Sequence, residues 1–527
     1  MSKHLSLAII LALAFAVSFA NIGGLDVYAL DEAKNAEAAR AMFESGDYVV
    51  PYYNGELRTD KPSLHYFFMA AGYQLFGANA FGARFFSSLM GIMTILITFL
   101  FVRKNFSEKA AINSALVLIG SIHFNLQFHM SVPDPYLVFF TTWAFFSFYE
   151  AYKTNSRWQL LSFYFAIGCG LLTKGPIAVA LPGLTALAFL IFNKDLKWKT
   201  IWRLQPFGGI ILSLIVAFPW YWLVHKATNG AWTEDFFWKH NFSRYSDAME
   251  GHEGLFLLTF AFVFVLGMLA YLPFVFQSLK HAFKERKNDG LLYCGLAVVI
   301  ILIFFATSST KLPNYTVPAY PVLAVLIGVY VSQIKSTWLD SLGNRIGLIS
   351  YAILLICFPV GIYFVLKGDK SLAHLTDLSF YFIVLSIAGV LMLFYAFAKR
   401  NVEAVLRINV SAWIVVIILF FYLIFPRVDA ENPVRKLVPQ MDITAKIISY
   451  QRVNPAFVFE LKRVITRYTE LADIQSTMLQ HEKGYIISRT NYRKDLEQLP
   501  GITYVAEARD LFENPTSLLM MWDRTKK

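Results

Sequence analysis

Asp31 and Glu32 stand side by side just after the first long apolar run, in the stretch "ALDEAKNAEAAR". Acids favour a helix's first turn and aspartate is a good N-cap, so the pair has a structural use. It also has a chemical one, because a carboxylate beside an acceptor group deprotonates or orients it. Further along lie Asp60, Lys61, Arg84, Asp134, Lys174, His240, Arg244, Lys311 and Tyr315, with Lys34 next to the acidic pair. Lys61, Arg244 and Lys311, with the Tyr315 hydroxyl, have the chemistry to hold a phosphate, Arg as a fork and Lys as a point charge. Lys34, Asp60, Arg84, Asp134, Lys174 and His240 would support them. A phosphate site beside a carboxylate at a membrane edge suits a lipid phosphate that carries a sugar. Tyr52, Tyr53, Trp238 and Tyr245 offer ring faces to such a sugar, although most rings of this kind stack within their own loop.

The elements that must position these residues are membrane helices. The chain has 527 residues, 57% hydrophobic and only 16% charged, well below the quarter that is usual for a soluble protein. Thirteen apolar runs have about the length that crosses a ~30 Å hydrocarbon core. They lie near 5–24, 82–102, 110–129, 134–152, 158–173, 176–192, 206–224, 255–278, 291–307, 316–333, 347–366, 378–398 and 408–425. With the N-terminus inside, the inner connections hold about 19 Lys and Arg in roughly 63 residues, against about 11 in roughly 115 for the outer ones. This asymmetry places every candidate residue on the outer side. "SFA" at Ser18 to Ala20 resembles a signal cleavage site, but the run before it is long, and a retained anchor is expected. The net charge of +11 sits on connectors and not on one folded face, which argues against nucleic-acid binding. Cys169, Cys294 and Cys357 all fall in apolar runs, so no disulfide framework is expected.

Two domains follow: a transmembrane part, 1–425, and an outer C-terminal α/β part, 426–527. The first outer loop, 25–81, should carry two interfacial helices, with a turn at Asn54-Gly55 between them. In the tail, "AFVFELKRVI", "KGYIISRT" and "ITYVAEA" read as strands. No nucleotide-phosphate loop, dinucleotide fingerprint or serine-nucleophile motif is present. No cofactor is therefore expected. Histidines lack metal-ligand spacing, and Asp31, Asp60 and His240 are the candidate ligands should carboxylates and water hold a divalent ion.

Several motifs in one order resemble the polyprenyl-phosphate-sugar glycosyltransferases of the GT-C type. They run from "DEAKNAEAARAMFESGDYVVPYYNGELRTDKPSLHYF" through "FGARFFSS", "SVPDPYLVFF", "GLLTKGPIAVALPG" and "FFWKHNFSRY" to "SSTKLPNYTVPAYPVLA". The bacterial lipid A aminoarabinose transferases are the nearest in pattern, and protein O-mannosyltransferases are more distant. The resemblance implies a mainly α, polytopic fold of about thirteen spans with an outer C-terminal domain. It points to Asp31 as the catalytic carboxylate, with Glu32 in support. Lys61, in Asp60-Lys61-Pro62, would meet the carrier phosphate together with Arg244 and Tyr315, and Asp134 matches an outer acidic position. There are departures. Lys34-Asn35 stand where the family commonly reads Arg-Tyr, Ser63 replaces a second proline, and His65 replaces an aromatic. Lys239, His240 and Asn241 stand where an acid or histidine is often found. These departures bear on the sugar and the acceptor.

The implied activity is transfer of a sugar from an undecaprenyl-phosphate-type donor to lipid A or another envelope glycolipid or glycan, with inversion, on the periplasmic side of a bacterial inner membrane. O-glycosylation of protein Ser or Thr is the alternative, and a protein is then the acceptor. A lipid-sugar transporter is the remoter one, since transporters place charges at midplane and these stay at one edge.

Overall fold

The computed structural model describes residues 3–243, 254–511 and 515–525. It is mainly helical, with a small sheet near the C-terminus. The first helices are α1 (Lys3–Ser18), α2 (Leu30–Ser45), α3 (Leu64–Phe76), α4 (Ala80–Asn105), α5 (Glu108–Ile119), α6 (Ile122–Phe128), α7 (Asp134–Thr154), α8 (Arg157–Lys174) and α9 (Ile177–Phe192).

All thirteen apolar runs are built largely of helix. Among the described residues, seven helices are long and apolar enough to cross a membrane, and up to nine if each of two bent pairs is one span. The bent pairs are α5 with α6, at 67°, and Phe256–Gly267 with Leu269–Lys284, at 77°. The remaining runs fall short for simple reasons. Leu5–Ser18 and α9 are short, and α7 and α8 dilute their apolar residues with hydroxyls and charges.

Burial sorts the helices into centre and rim. Pro313–Ser332 is 83% inside the protein, whereas Leu342–Gly368 is 22% inside and Trp198–Ala227 is 28% inside. Helix α7 is buried along nearly its whole length. The poorly buried helices present Ile210, Ile215, Val360 and Phe364 outward, as lipid-facing surfaces do. Helices α3 and α4 cross at backbone contact: a Cβ on Gly72 would lie 2.1 Å from the carbonyl oxygen of Gly82. Any larger residue there would push the first outer loop off the bundle.

That loop folds as expected in outline. Helix α2 is rich in alanine, and Ala33, Ala36, Ala38 and Ala39 are fully buried. A two-residue hairpin follows, β1 (Tyr52–Tyr53) against β2 (Glu56–Leu57). Its turn residues Asn54 and Gly55 both have positive φ, 52° and 80°, the geometry that Asn-Gly tolerates best.

The C-terminal sheet has strands β3 (Lys446–Tyr450), β4 (Thr466–Tyr468), β5 (Lys483–Arg489), β6 (Ile502–Arg509) and β7 (Thr516–Asp523), in the order β4-β3-β5-β7-β6. Strands β4, β3 and β5 run parallel, and β7 pairs antiparallel with β5 and β6. One expected strand is corrected: Pro455–Leu461, within "AFVFELKRVI", is a helix. Asn454 accepts from the Ala456 amide at 3.0 Å and Pro455 opens the first turn, a start signal that overrides the strand-like composition. Strands β3, β4 and β7 were not anticipated.

The sheet domain docks on the first outer loop. Asn54 donates to the Ile465 carbonyl at 2.9 Å and accepts from the Ile465 amide at 2.8 Å. The Leu511 amide donates to the Tyr28 hydroxyl at 2.9 Å. Arg435 pairs with Asp26 at 3.0 Å. Asn54→Ala removes two hydrogen bonds and places an alanine at positive φ, a cost of about 2–3 kcal/mol confined to this contact. Hydrogen exchange should show the Ile465 amide exchanging at least about tenfold faster, with the membrane helices unchanged.

Candidate active site

Helix α2 begins at Leu30, Ala29 takes the cap position, and no side chain caps it. Asp31 is therefore not the N-cap. Its carboxylate is not engaged by the helix's own first amides, and the residue is exposed.

The adjacent Glu32 has the opposite fate. It is buried against Arg84 of α4, whose Nε and Nη2 donate to its two oxygens at 2.7 and 2.9 Å. The Ser131 amide and hydroxyl also donate to Glu32, at 2.9 and 3.2 Å. The remaining Arg84 donors reach the carbonyls of Ile22, Leu25 and Asp26 at 2.8 to 2.9 Å. Successive helix residues are about 100° apart, so locking Glu32 inward turns Asp31 elsewhere.

Asp31 faces a cluster of charge. Solvent reaches the residue, but the protein packed around it still pushes its pKa up; Lys61 and Arg58 outweigh that and hold it below the ordinary carboxylate value, with Lys34 adding to them and Asp60 opposing. Arg58 is the residue that sequence reasoning missed. It is buried, pairs with Asp60 at 3.2 Å, and donates to the Tyr66 hydroxyl at 2.9 Å and to Asn35 at 3.2 Å. Its signal was its place two residues before Asp60-Lys61-Pro62.

Two of the departures noted above are partners here. Asn35 is fully buried, donates to the Asp31 carbonyl at 2.7 Å, and its Oδ1 lies 3.2 Å from His65 Nε2 and 3.2 Å from the Tyr66 hydroxyl. Burial, followed by Arg58 and Lys61, holds the His65 pKa well below its ordinary value, so His65 is neutral.

The second outer loop closes on the same segment. Trp232 donates to the Arg58 carbonyl at 2.9 Å. The Thr59 hydroxyl donates to Asp235 at 3.2 Å and lies 3.3 Å from His240. His240 also approaches Asp60, at 3.9 Å. Burial raises the Asp60 pKa, but Arg58, Lys61 and His240 bring it down to about 2. Arg244, and with it Tyr245, lies outside the described residues.

Asp134 and Lys174 form a second buried unit. Lys174, the last residue of α8, pairs with Asp134, the first of α7, at 2.6 Å. Its ammonium also sits 5.1 Å from the centre of the Tyr315 ring. Gly175 follows with φ +76°, and a Cβ there would collide with the Phe236 ring at 2.7 Å. Lys311, expected at the phosphate, is corrected. Its ammonium donates to the carbonyls of Ala306 at 2.8 Å, Phe305 at 3.2 Å and Ser308, closing the end of the helix Asp289–Thr307. Burial lowers its pKa. Of the candidate metal ligands, Asp60 and His240 approach each other, but no group of three His, Cys, Asp or Glu is arranged to hold an ion among the described residues.

The architecture is that of a polytopic glycosyltransferase fold of the GT-C type. The crystal structure of ArnT from Cupriavidus metallidurans bound to undecaprenyl phosphate matches with a TM-score of 0.82 at 21% identity, covering 97% of both chains. Residues 60–222 match the family described as dolichyl-phosphate-mannose-protein mannosyltransferase. The undecaprenyl phosphate-alpha-4-amino-4-deoxy-L-arabinose arabinosyl transferase 2 of Pseudomonas fluorescens is 29% identical over 335 residues, 62% of this chain and 60% of that protein. The corresponding transferase of Pseudomonas aeruginosa is 30% identical over 333 residues, 60% of this chain and 57% of that one. The chain thus spans about three fifths of the length of these curated relatives. These likenesses bear out the resemblance carried by the motifs.

Glu32→Ala leaves Arg84 buried without its partner and should cost about 3–5 kcal/mol, whereas Asp31→Asn, which removes a carboxylate favoured by Lys61 and Arg58 but strands no buried partner, should lower thermal stability in detergent by much less. The Asp60 carboxyl lies at about 2 against an ordinary 3.8, so its ionised form stabilises the fold above about pH 4, and that contribution fades as pH falls toward 2. The melting temperatures of wild type and Asp60→Asn should therefore differ at pH 6, by about 2 kcal/mol in stability, and converge as the pH is lowered through that window.

Proposed function

We propose that this protein is an integral membrane glycosyltransferase that moves a sugar from an undecaprenyl-phosphate-type carrier to lipid A or another envelope glycolipid or glycan. The observation that carries the reading is an uncapped, exposed Asp31 carboxylate set among Lys61, Arg58 and Lys34, in a fold matching a transferase crystallised with undecaprenyl phosphate. The names of the curated relatives, which are undecaprenyl-phosphate sugar transferases, support the same donor class. The basic inner loops support an arrangement of thirteen spans in a bacterial inner membrane, with the site and the C-terminal domain on the periplasmic face.

In this reading the carrier phosphate lies against Lys61, with Tyr315 and Arg244 completing its contacts. An acceptor oxygen attacks the anomeric carbon from the opposite face. The bond from that carbon to the phosphate oxygen breaks, the electron pair leaves with undecaprenyl phosphate, and configuration inverts. The cations stabilise the charge that grows on the leaving phosphate. A carboxylate held at low pKa is a weak base but a persistent anion. Asp31 is accordingly assigned to orienting the sugar and stabilising positive charge at the anomeric carbon, which suffices if the acceptor is itself an ionised phosphate. The Asp134–Lys174 pair holds the Tyr315 ring in place.

The match of residues 60–222 to a protein mannosyltransferase family favours a second reading, transfer to Ser or Thr. A hydroxyl acceptor needs a stronger base than Asp31 offers in its present surroundings.

The test uses purified protein in detergent with a pool of polyprenyl-phosphate sugars and envelope acceptors. Wild type should release undecaprenyl phosphate, and Asp31→Asn and Lys61→Ala should each fall by about 10²-fold or more. Equal release by all three proteins would overturn the site. Mass spectrometry of the glycosylated acceptors separates lipid from protein. Release of no carrier, with flipping of intact lipid sugar in liposomes, would replace the reading with transport.

A further inference from the structure

Away from the candidate active site, and from the charged cavity that adjoins it between the first outer loop and the sheet domain, a second basic surface lies at the other end of the helices. Helix α8 reaches the candidate site at Lys174, and α9 returns from there to Phe192. The connection beyond leads into a short helix, α10 (Trp198–Arg203), and then α11 (Pro206–Ala227). It carries Lys194, Lys197, Lys199 and Arg203, all exposed, on the side that the charge asymmetry places inside.

The single acid of this connection is already engaged. Asp195 accepts from the Tyr152 hydroxyl at 3.1 Å, and Lys197 lies 3.5 Å from it. Asn193 donates to the same hydroxyl at 3.2 Å, and the Arg203 guanidinium sits 5.3 Å from the centre of the Tyr152 ring. These contacts fix the connection to the end of α7. The joint between α10 and α11 is fixed to α8, where Tyr164 donates to the Leu204 carbonyl at 2.8 Å. Among the described residues, Lys194, Lys199 and Arg203 pair with no acid.

Aromatic rings set the depth of this surface. Thr200 and Leu204 pack inward, which leaves Trp198 and Trp202 on the outward face, 70% and 53% exposed. Their ring centres are 5.6 Å apart. Together α10 and α11 make a candidate span of 30 residues, about 45 Å long against a hydrocarbon core of ~30 Å. Trp202 and Trp222 stand 20 residues apart, which is about 30 Å, with Ile210, Leu214 and Phe218 exposed between them. Tryptophans settle where hydrocarbon meets head groups. With those two rings at the boundaries, Trp198 and the four cations fall at the level of the lipid phosphates. Topology alone requires only the cations; it does not account for two exposed tryptophans among them.

We propose that Lys194, Lys197, Lys199 and Arg203, with Trp198 and Trp202, form a binding site for the phosphate head group of an anionic phospholipid. The cations meet the phosphate, and the indoles lie against the glycerol and the upper acyl chains. The bound lipid anchors this end of α11, at the opposite end of the helices from the carrier phosphate.

Native mass spectrometry of the full-length protein in detergent, titrated with phosphatidylglycerol or phosphatidylcholine, tests this without turnover. Wild type should bind phosphatidylglycerol at least about tenfold more tightly than phosphatidylcholine. Lys194→Gln/Lys197→Gln/Lys199→Gln should erase that preference, and phosphatidylglycerol should no longer raise its unfolding temperature as it does that of wild type. Lys199→Glu alone should weaken phosphatidylglycerol binding by at least about fivefold and serves if the triple variant misfolds. Trp198→Ala/Trp202→Ala should weaken both lipids alike, by about fivefold or more, and keep the preference. Arg493→Gln, an exposed arginine of the sheet domain paired with Glu497, should behave as wild type. Undecaprenyl phosphate should bind the triple variant as tightly as wild type, and a loss there would overturn the proposal by giving the surface to the carrier. Equal binding of the two phospholipids by wild type, or a preference that survives the lysine substitutions, would overturn it as well.

Discussion

A carboxylate and a guanidinium buried together hold a fold in place only when every remaining polar atom also finds a partner. Glu32 and Arg84 meet that condition. Arg84 donates to both Glu32 oxygens and to three backbone carbonyls of the chain entering α2, and Glu32 takes two further donors from Ser131. Three segments are thereby fixed to one another: the entry to α2, the start of α4 and the turn before α7. The orientation of α2 follows, and with it the direction in which Asp31 points. The close crossing of α3 and α4 at Gly72 and Gly82 holds the other end of the same loop.

Electrostatics then divides labour among neighbouring acids. Glu32 is neutralised by a dedicated arginine and serves the frame. Asp60 is shared by Arg58 and, at greater distance, His240, and tethers the second outer loop to the first. Asp31 receives its positive field from residues that do not touch its own helix amides, so its oxygens remain available. Arg58 is central to this division because it is buried, obligately charged and bonded on several sides. Its field reaches Asp31 without closing over it.

Much of this was legible in the sequence. Apolar runs gave helices because their length and composition leave few alternatives, and Asn54-Gly55 gave a hairpin turn because so few residue pairs accept two positive φ angles. The acidic pair and Asp60-Lys61-Pro62 marked the loop in which Arg58, Asp60 and Lys61 gather around Asp31. Other features were hidden because they depend on tertiary partners. Nothing local to Lys311 shows that it closes a helix end, and nothing local to Arg58 shows that three side chains converge on it. Asp31 looked like a cap because local preference favours it, but the chain enters the helix two residues earlier, at Ala29. In the tail, "AFVF" has the composition of a strand, and only the Asn454-Pro455 start makes it helical. The mutual contact of Asn35 and His65 shows why two separate departures from a family pattern can amount to one structural change.

The docking of Asn54 on Ile465 has a consequence for biogenesis. These partners are 411 residues apart in the chain. At a synthesis rate of ~5–20 residues per second, the loop that carries Asp31 exists for roughly 20–80 s before its far wall is made. During membrane insertion the chemical groups are therefore in place while the compartment that encloses them is not. Completion of the last domain is the event that adds the second wall to the charged loop, and a chain interrupted before that point would carry the charged residues without that wall.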